Sequence, residues 1–113
     1  MLPEISDALP ACPVETTLTL ISDKWKVLIL RDLLTGTKRF GELKKSLNGV
    51  SQKVLTSQLR QMEASGLLTR KVYAEVPPRV EYTLTELGYS LQPVWRLCVT
   101  GVRRIRRDFD LRM

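Results

Sequence analysis

Four polar side chains between residues 53 and 60 have the types and spacing of a surface that binds a polyanion. Lys53, Thr56, Ser57 and Arg60 lie at i, i+3, i+4 and i+7, so on a helix they share one face. Arg and Lys donate hydrogen bonds to phosphates and guanine edges, and small hydroxyl residues allow close approach to the bases. No carboxylate follows on this face before Glu63. The pattern predicts a helix that lies in a DNA major groove, with an ordinary solvated face as the alternative.

The distribution of charge along the chain points the same way. The 113 residues carry a net charge of +6, and residues 37–79 alone hold nine basic and three acidic side chains, a net charge of +6. Residues 1–36 have a net charge of −2 and residues 80–113 a net charge of +2. A basic segment concentrated within a folded domain is typical of proteins that bind polyanions.

Other kinds of chemistry are poorly supported by the composition. The chain has no His and only two Cys, which lie far apart in the sequence, so the usual general base and the common zinc sites are missing. We therefore predict no enzymatic activity, no metal and no cofactor. The longest apolar run, Val27 to Leu30, is too short to span a bilayer, and residues 1–11 lack the features of a secretory signal. A cytoplasmic protein without a membrane partner is expected.

The elements that must position the polar face can be predicted from periodicity and caps. Pro13 opens a first helix, and a second, central helix with apolar residues on nearly all sides ends before Gly36. On the fourth helix, Val54, Leu55, Leu59 and Met62 form the predicted inward stripe. The predicted helices cover 13–21, 24–35 with a cap at Ser22-Asp23, 40–47, and 52–65 with a cap at Ser51, and residues 48–50 form a turn.

After Gly66 the apolar period changes from 3.6 to 2, which indicates strands. Residues 68–74 and 80–84 form a predicted hairpin, with Val72 facing inward and Glu75 to Pro78 at an irregular tip. Arg79, beside this tip, is placed to enter a minor groove or contact a phosphate. Thr85 caps a further helix, and Pro93 either kinks that helix or starts a last one.

The last helix carries an apolar seam at heptad spacing, which is longer than one small domain needs to cover itself. Its residues are Leu91, Trp95, Cys98, Val102, Ile105 and Phe109. The seam predicts a homodimer, since a second copy would bury it.

The predicted fold class is mainly α with a small β-hairpin (α+β), a winged helix-turn-helix whose terminal helices form a dimer seam. Residues 1–11 are expected to form a flexible arm, and residues 12–113 a single domain.

Over residues 12–100 the sequence resembles the HxlR-type winged helix-turn-helix regulators, small bacterial transcription factors related to the MarR group. The runs that carry the resemblance are Trp25-Lys26, Gly36 to Leu43, Val50 to Leu55, Leu59 to Glu63, Gly66 to Leu68 and Pro77 to Thr85. It implies a homodimer joined through its first and last helices, including Val14 and Leu18, that binds palindromic promoter DNA. The tail Arg103 to Arg107 is more basic than the family pattern predicts.

The resemblance also assigns residues to the DNA. The fourth helix becomes the recognition helix and the hairpin the wing. The DNA contacts that it implies are Ser51, Gln52, Lys53, Thr56, Ser57 and Arg60 on the helix and Arg79 on the wing. Lys38 and Arg39, in the basic segment, are predicted DNA contacts as well.

Each of the two thiols has its own predicted role. Cys12 directly precedes the first helix, where the helix dipole lowers a thiol pKa, and in some HxlR-type regulators a Cys at this position senses electrophiles or oxidants. An unreactive residue on a loose arm is the alternative. Cys98, beside Trp95 and Val102 in the seam, is predicted to be a small buried core residue.

Together these patterns predict a dimeric, sequence-specific repressor of adjacent genes, released when a small electrophile or oxidant modifies Cys12. Two other interpretations remain open. One is a winged-helix interaction module that docks an acidic protein. The other is a regulator that binds a small molecule between Trp25 and Trp95 and has no redox sensing.

Overall fold

The computed structural model describes residues 12–21 and 24–112, with side chains to residue 107. The predicted arm, the Ser22-Asp23 cap and the Phe109 side chain lie outside these residues. In chain order the elements are α1 (Pro13–Ile21), α2 (Lys24–Leu33), β1 (Lys38–Arg39), α3 (Phe40–Ser46), α4 (Gln52–Ala64), β2 (Leu68–Tyr73), β3 (Arg79–Leu84), α5 (Glu86–Tyr89) and α6 (Gln92–Arg112).

The core lies between α2, α3, α4 and one end of the sheet. Ile29, Leu30 and Leu33 of α2 are fully buried, and Trp25 and Leu28 pack against them from the margin. The central position predicted for this helix is therefore confirmed, although it is buried on one face rather than all round. It ends at Leu33, and Gly36 adopts a φ of +137° in the following turn.

The turn between α3 and α4 sets the start of α4. Gly49 has a φ of +90°, and Ser51 Oγ accepts a hydrogen bond from the Val54 backbone N–H at 3.1 Å, which confirms the predicted cap. Leu55, Leu59 and Met62 are buried as predicted. Val54 is wrong as an inward residue, because it is 37% exposed and Gln58, nearer the middle of the stripe, is 8% exposed.

Three antiparallel strands in the order β1-β3-β2 form the sheet. In register, Leu68 faces Leu84, Tyr73 faces Arg79, and Lys38 of β1 faces Tyr82. The hairpin was predicted from the sequence, whereas β1 was not. Val72 is wrong as an inward residue: it is exposed, since the outer half of the hairpin extends beyond the core.

The C-terminal region begins at a capped turn. Thr85 Oγ1 accepts a hydrogen bond from the Gly88 backbone N–H at 3.2 Å, as predicted, and Pro93 is the second residue of α6 rather than a kink. Leu91 is 9% exposed and packs in the core of its own protomer, and its place in a dimer interface stays a prediction. Cys98 is exposed, so its assignment to a buried core is wrong for the single protomer, because α6 leaves the core after its first turn.

Among the residues that the structure describes, no helix has the length and apolar character needed to cross a membrane.

Candidate nucleic-acid interface

The four residues Lys53, Thr56, Ser57 and Arg60, which we call the recognition face, lie together on the outer side of α4. Three of them are exposed and Thr56 is half-buried. With Gln52 and Gln61 they line a shallow depression that runs along the helix. Within the described part of the chain, neither Lys53 nor Arg60 forms an ion pair, so both cations are available to an incoming anion. Ser51 and Gln52, at the start of α4, are exposed as well.

A hydrogen-bonded chain links the recognition face to α2. Lys26 Nζ donates to Gln61 Oε1 at 2.7 Å, and Gln61 Nε2 donates to Ser57 Oγ at 3.3 Å. Sequence reasoning missed both Lys26 and Gln61. The i, i+4 spacing of Ser57 and Gln61 was a usable signal for the second contact, but no local pattern indicates the first, which joins residues 35 positions apart.

Helix α4 also contacts the wing near its base. Glu63 Oε1 of α4 lies 3.8 Å from Arg70 Nε of β2. Next to this pair, Tyr82 is buried, and burial raises the pKa of its phenol. Thr56 and Arg60 share a small cavity with these three residues. The two elements predicted to contact DNA are therefore joined by direct contacts.

Lys38 and Arg39 form β1, at the edge of the sheet beside β3. Lys38 is half-buried and Arg39 is exposed. The Arg39 backbone N–H donates to Glu42 Oε1 at 3.0 Å at the start of α3, and Arg39 Nε lies 4.0 Å from Glu81 Oε2 of the wing. Arg39 thus connects the helix-turn-helix with the wing.

The structure places the Arg79 side chain against the wing itself. Arg79 Nη2 is 3.3 Å from Glu75 Oε1, Arg79 Nε is 3.8 Å from Glu81 Oε2, and the guanidinium carbon is 4.0 Å from the centre of the Tyr73 ring. Only 28% of the side chain is exposed. Unlike Lys53 and Arg60, this cation is already paired in the free protein.

Apolar side chains are exposed on both terminal helices. Val14 and Leu18 project from α1, and Val102 and Ile105 from α6, where Ile105 is 60% exposed. Leu97, which the predicted seam does not include, is exposed too, and Trp95 is half-buried. The described protomer leaves these apolar groups open to solvent.

Cys12 is exposed at the start of α1. Hydrogen bonds from the backbone N–H groups of Glu15 and Val14 lower the pKa of its thiol, because they stabilise the thiolate. The direction of this pKa shift is the one predicted for a thiol at a helix start, and the reactivity of Cys12 stays a prediction.

Comparison with known proteins gives consistent matches. Residues 20–105 match a family model described as HxlR-like helix-turn-helix. YdeP of Bacillus subtilis, named as an uncharacterized HTH-type transcriptional regulator, is 51% identical over 89 residues, which are 79% of this chain and 70% of YdeP. The match covers 62% to 82% of the length of the curated relatives.

The solved structures that are similar to this chain include those of HypR and YodB. The redox regulator HypR in its oxidized form has a TM-score of 0.76 and 42% identity, covering 82% of this chain and 96% of HypR. Diamide-treated YodB from B. subtilis has a TM-score of 0.69 and 35% identity, covering 82% of this chain and 93% of YodB.

Proposed function

The chain belongs to the HxlR-like helix-turn-helix family of transcriptional regulators, and we propose that it is a dimeric repressor that binds promoter DNA and is released by modification of Cys12. The family is a non-enzymatic DNA-binding family, which agrees with the prediction that the chain is not an enzyme. The observation that carries the proposal is the recognition face, with two unpaired cations, two small hydroxyl residues and no acid.

In the proposed complex, α4 lies in the major groove. Lys53 and Arg60 donate to guanine edges or phosphates, while Thr56 and Ser57 allow close approach. Ser51 and Gln52, at the start of α4, contact the DNA backbone, because the positive end of the helix dipole favours a phosphate there. Lys38 and Arg39 supply further positive charge beside the wing.

Two copies bind one operator in this proposal. The exposed apolar groups of α1 and α6 support this arrangement, since a second copy would cover them. A twofold dimer requires two half-sites about 10 base pairs apart, or a multiple of that spacing. We infer repression because a dimer that occupies a promoter can block transcription without any activating surface. The promoters of adjacent genes are the expected targets.

Release depends on the position of Cys12 at the start of α1. The lowered thiol pKa and the exposure of Cys12 support reactivity toward electrophiles and oxidants. The likeness to the redox regulator HypR is a second support. An adduct or crosslink at α1 would alter the packing of the two protomers and so the separation of the two recognition helices.

The experiment that tests DNA binding measures affinity as a function of salt, with a labelled duplex from the region upstream of the coding sequence and a mixed-sequence duplex as control. The proposal expects tighter binding to the upstream duplex and a steep fall in affinity with salt, because phosphate contacts release counterions. Absence of binding to both duplexes at low salt would contradict it and favour the protein-interaction module.

A further inference from the structure

The outward face of the wing sheet carries a row of alternating charges. Lys71 of β2 lies opposite Glu81 of β3, and Glu81 lies opposite Arg39 of β1. One step toward the tip, Tyr73 lies opposite Arg79. Arg79 and Glu81 are two residues apart on β3, so their side chains point to the same face.

Arg79 joins three parts of the wing. Its guanidinium stacks on Tyr73 at 4.0 Å, which fixes it to β2. It lies 3.3 Å from Glu75 in the tip, and its Nε is 3.8 Å from Glu81, which is shared with Arg39. Since a planar guanidinium can stack and pair at the same time, one side chain connects the tip with β2 and β3.

The tip needs such a connection because its backbone can form few hydrogen bonds. Pro77 and Pro78 have no N–H groups, so neither can donate to a ladder. The Glu75 backbone N–H does donate, to the Tyr73 carbonyl at 2.8 Å. Beyond it, Val76 is fully exposed at the apex of the hairpin.

We propose that Arg79 is a positioning residue for DNA binding. It holds the wing tip through Glu75 and Tyr73 and does not itself contact a phosphate. The inference rests on the proposed DNA-binding function and deepens it. Arg79 would determine where the tip enters the groove, and other cations of the wing would contact the phosphates.

The substitution Glu75→Gln separates this role from a direct contact, because the two predict opposite signs. If Arg79 positions the tip, loss of the Glu75 charge loosens the tip and weakens binding to the upstream duplex about threefold, the size of one exposed ion pair. If Arg79 contacts a phosphate, the same substitution frees the guanidinium and removes a repulsive anion, so binding tightens. Glu86→Gln, the same charge change at an exposed site on α5, is the matched control.

A second measurement uses the free protein. Hydrogen exchange of the Glu75 amide reports tip order, because that amide donates to Tyr73. Arg79→Ala should speed its exchange in the absence of DNA, an effect that loss of a phosphate contact would not cause.

Unchanged or tighter binding by Glu75→Gln overturns the proposal, as does unchanged exchange in Arg79→Ala. If the wild-type protein binds neither duplex, the DNA-binding function fails instead, and the exchange experiment still decides whether Arg79 orders the tip.

Discussion

The Leu67 backbone carbonyl lies against Gly88, where any other residue would carry its Cβ. The same carbonyl accepts a hydrogen bond of 3.0 Å from the Thr85 N–H, and the Leu84 side chain comes within 2.8 Å of the position that a Cβ on residue 88 would occupy. The start of β2 and the turn of α5 can therefore approach this closely only because residue 88 is glycine.

Gly88→Ala should destabilise the protein by about 2 kcal/mol, because backbone rather than a flexible side chain must move to admit the methyl group. Gly101→Ala is the matched control: a Cβ there meets nothing within 4 Å, and helix propensity predicts a gain of up to about 1 kcal/mol. Urea unfolding of both variants measures the difference. Equal stability of Gly88→Ala and wild type would show that the close approach is not a constraint.

Lys53→Ala and Arg60→Ala should each weaken binding to the upstream duplex by about 1 to 3 kcal/mol if they contact bases, and less if they contact phosphates. Fluorescence anisotropy at physiological salt measures the effect. Arg103→Ala, which removes the same charge from α6, is the control and should bind nearly as wild type. A double variant that retains wild-type affinity would rule out the recognition face.

Ile105→Glu should convert the dimer to a monomer, because the proposed interface would bury an unpaired carboxylate. Sedimentation velocity at micromolar concentration detects the change. Thr100→Glu places the same charge on another side of α6 and should leave the dimer intact. If the wild-type protein sediments as a monomer, the proposed dimer is contradicted, and so is the proposed operator with two half-sites.

Diamide or a quinone should release the wild-type protein from the upstream duplex. Cys12→Ser should bind DNA normally and ignore the reagent, whereas Cys98→Ser should still respond. A full response by Cys12→Ser would exclude Cys12 as the sensor.

The pH dependence of alkylation checks the activation of Cys12 separately. Because backbone hydrogen bonds lower its pKa, the thiolate forms at lower pH in the folded protein than in the unfolded chain. In a Cys98→Ser background, the pH midpoint of the alkylation rate should therefore be lower for the native protein than for the same protein in urea. Equal midpoints would mean that the helix start does not activate the thiol.

The fold was largely predictable because its signals are local. Ser51 and Thr85 cap helices as predicted, and the change of period after Gly66 revealed the hairpin. A two-residue strand has no period, so β1 was not recognisable. Which residues of a stripe are buried depends on neighbouring elements, and for this reason Val54 was wrongly predicted to face inward.

Part of the candidate site was predictable because its signals, too, are local. The recognition face follows from spacing within one helix. The contacts of Arg79 depend on strand register and hairpin geometry, and the bond between Lys26 and Gln61 depends on how α2 packs on α4. Neither relation is encoded in a short window of sequence.

The strand β1 is part of the chain between α2 and α3, yet its hydrogen-bonding partner is β3 of the wing. The base of the wing therefore cannot swing relative to the helices without breaking the pairing of Lys38 with Tyr82 and of Arg39 with Glu81. In the proposed dimer, each protomer then moves as one rigid unit. A chemical signal at α1 could change only the distance between the two units, so the dimer would select an operator by the spacing of its half-sites as well as by their base sequence.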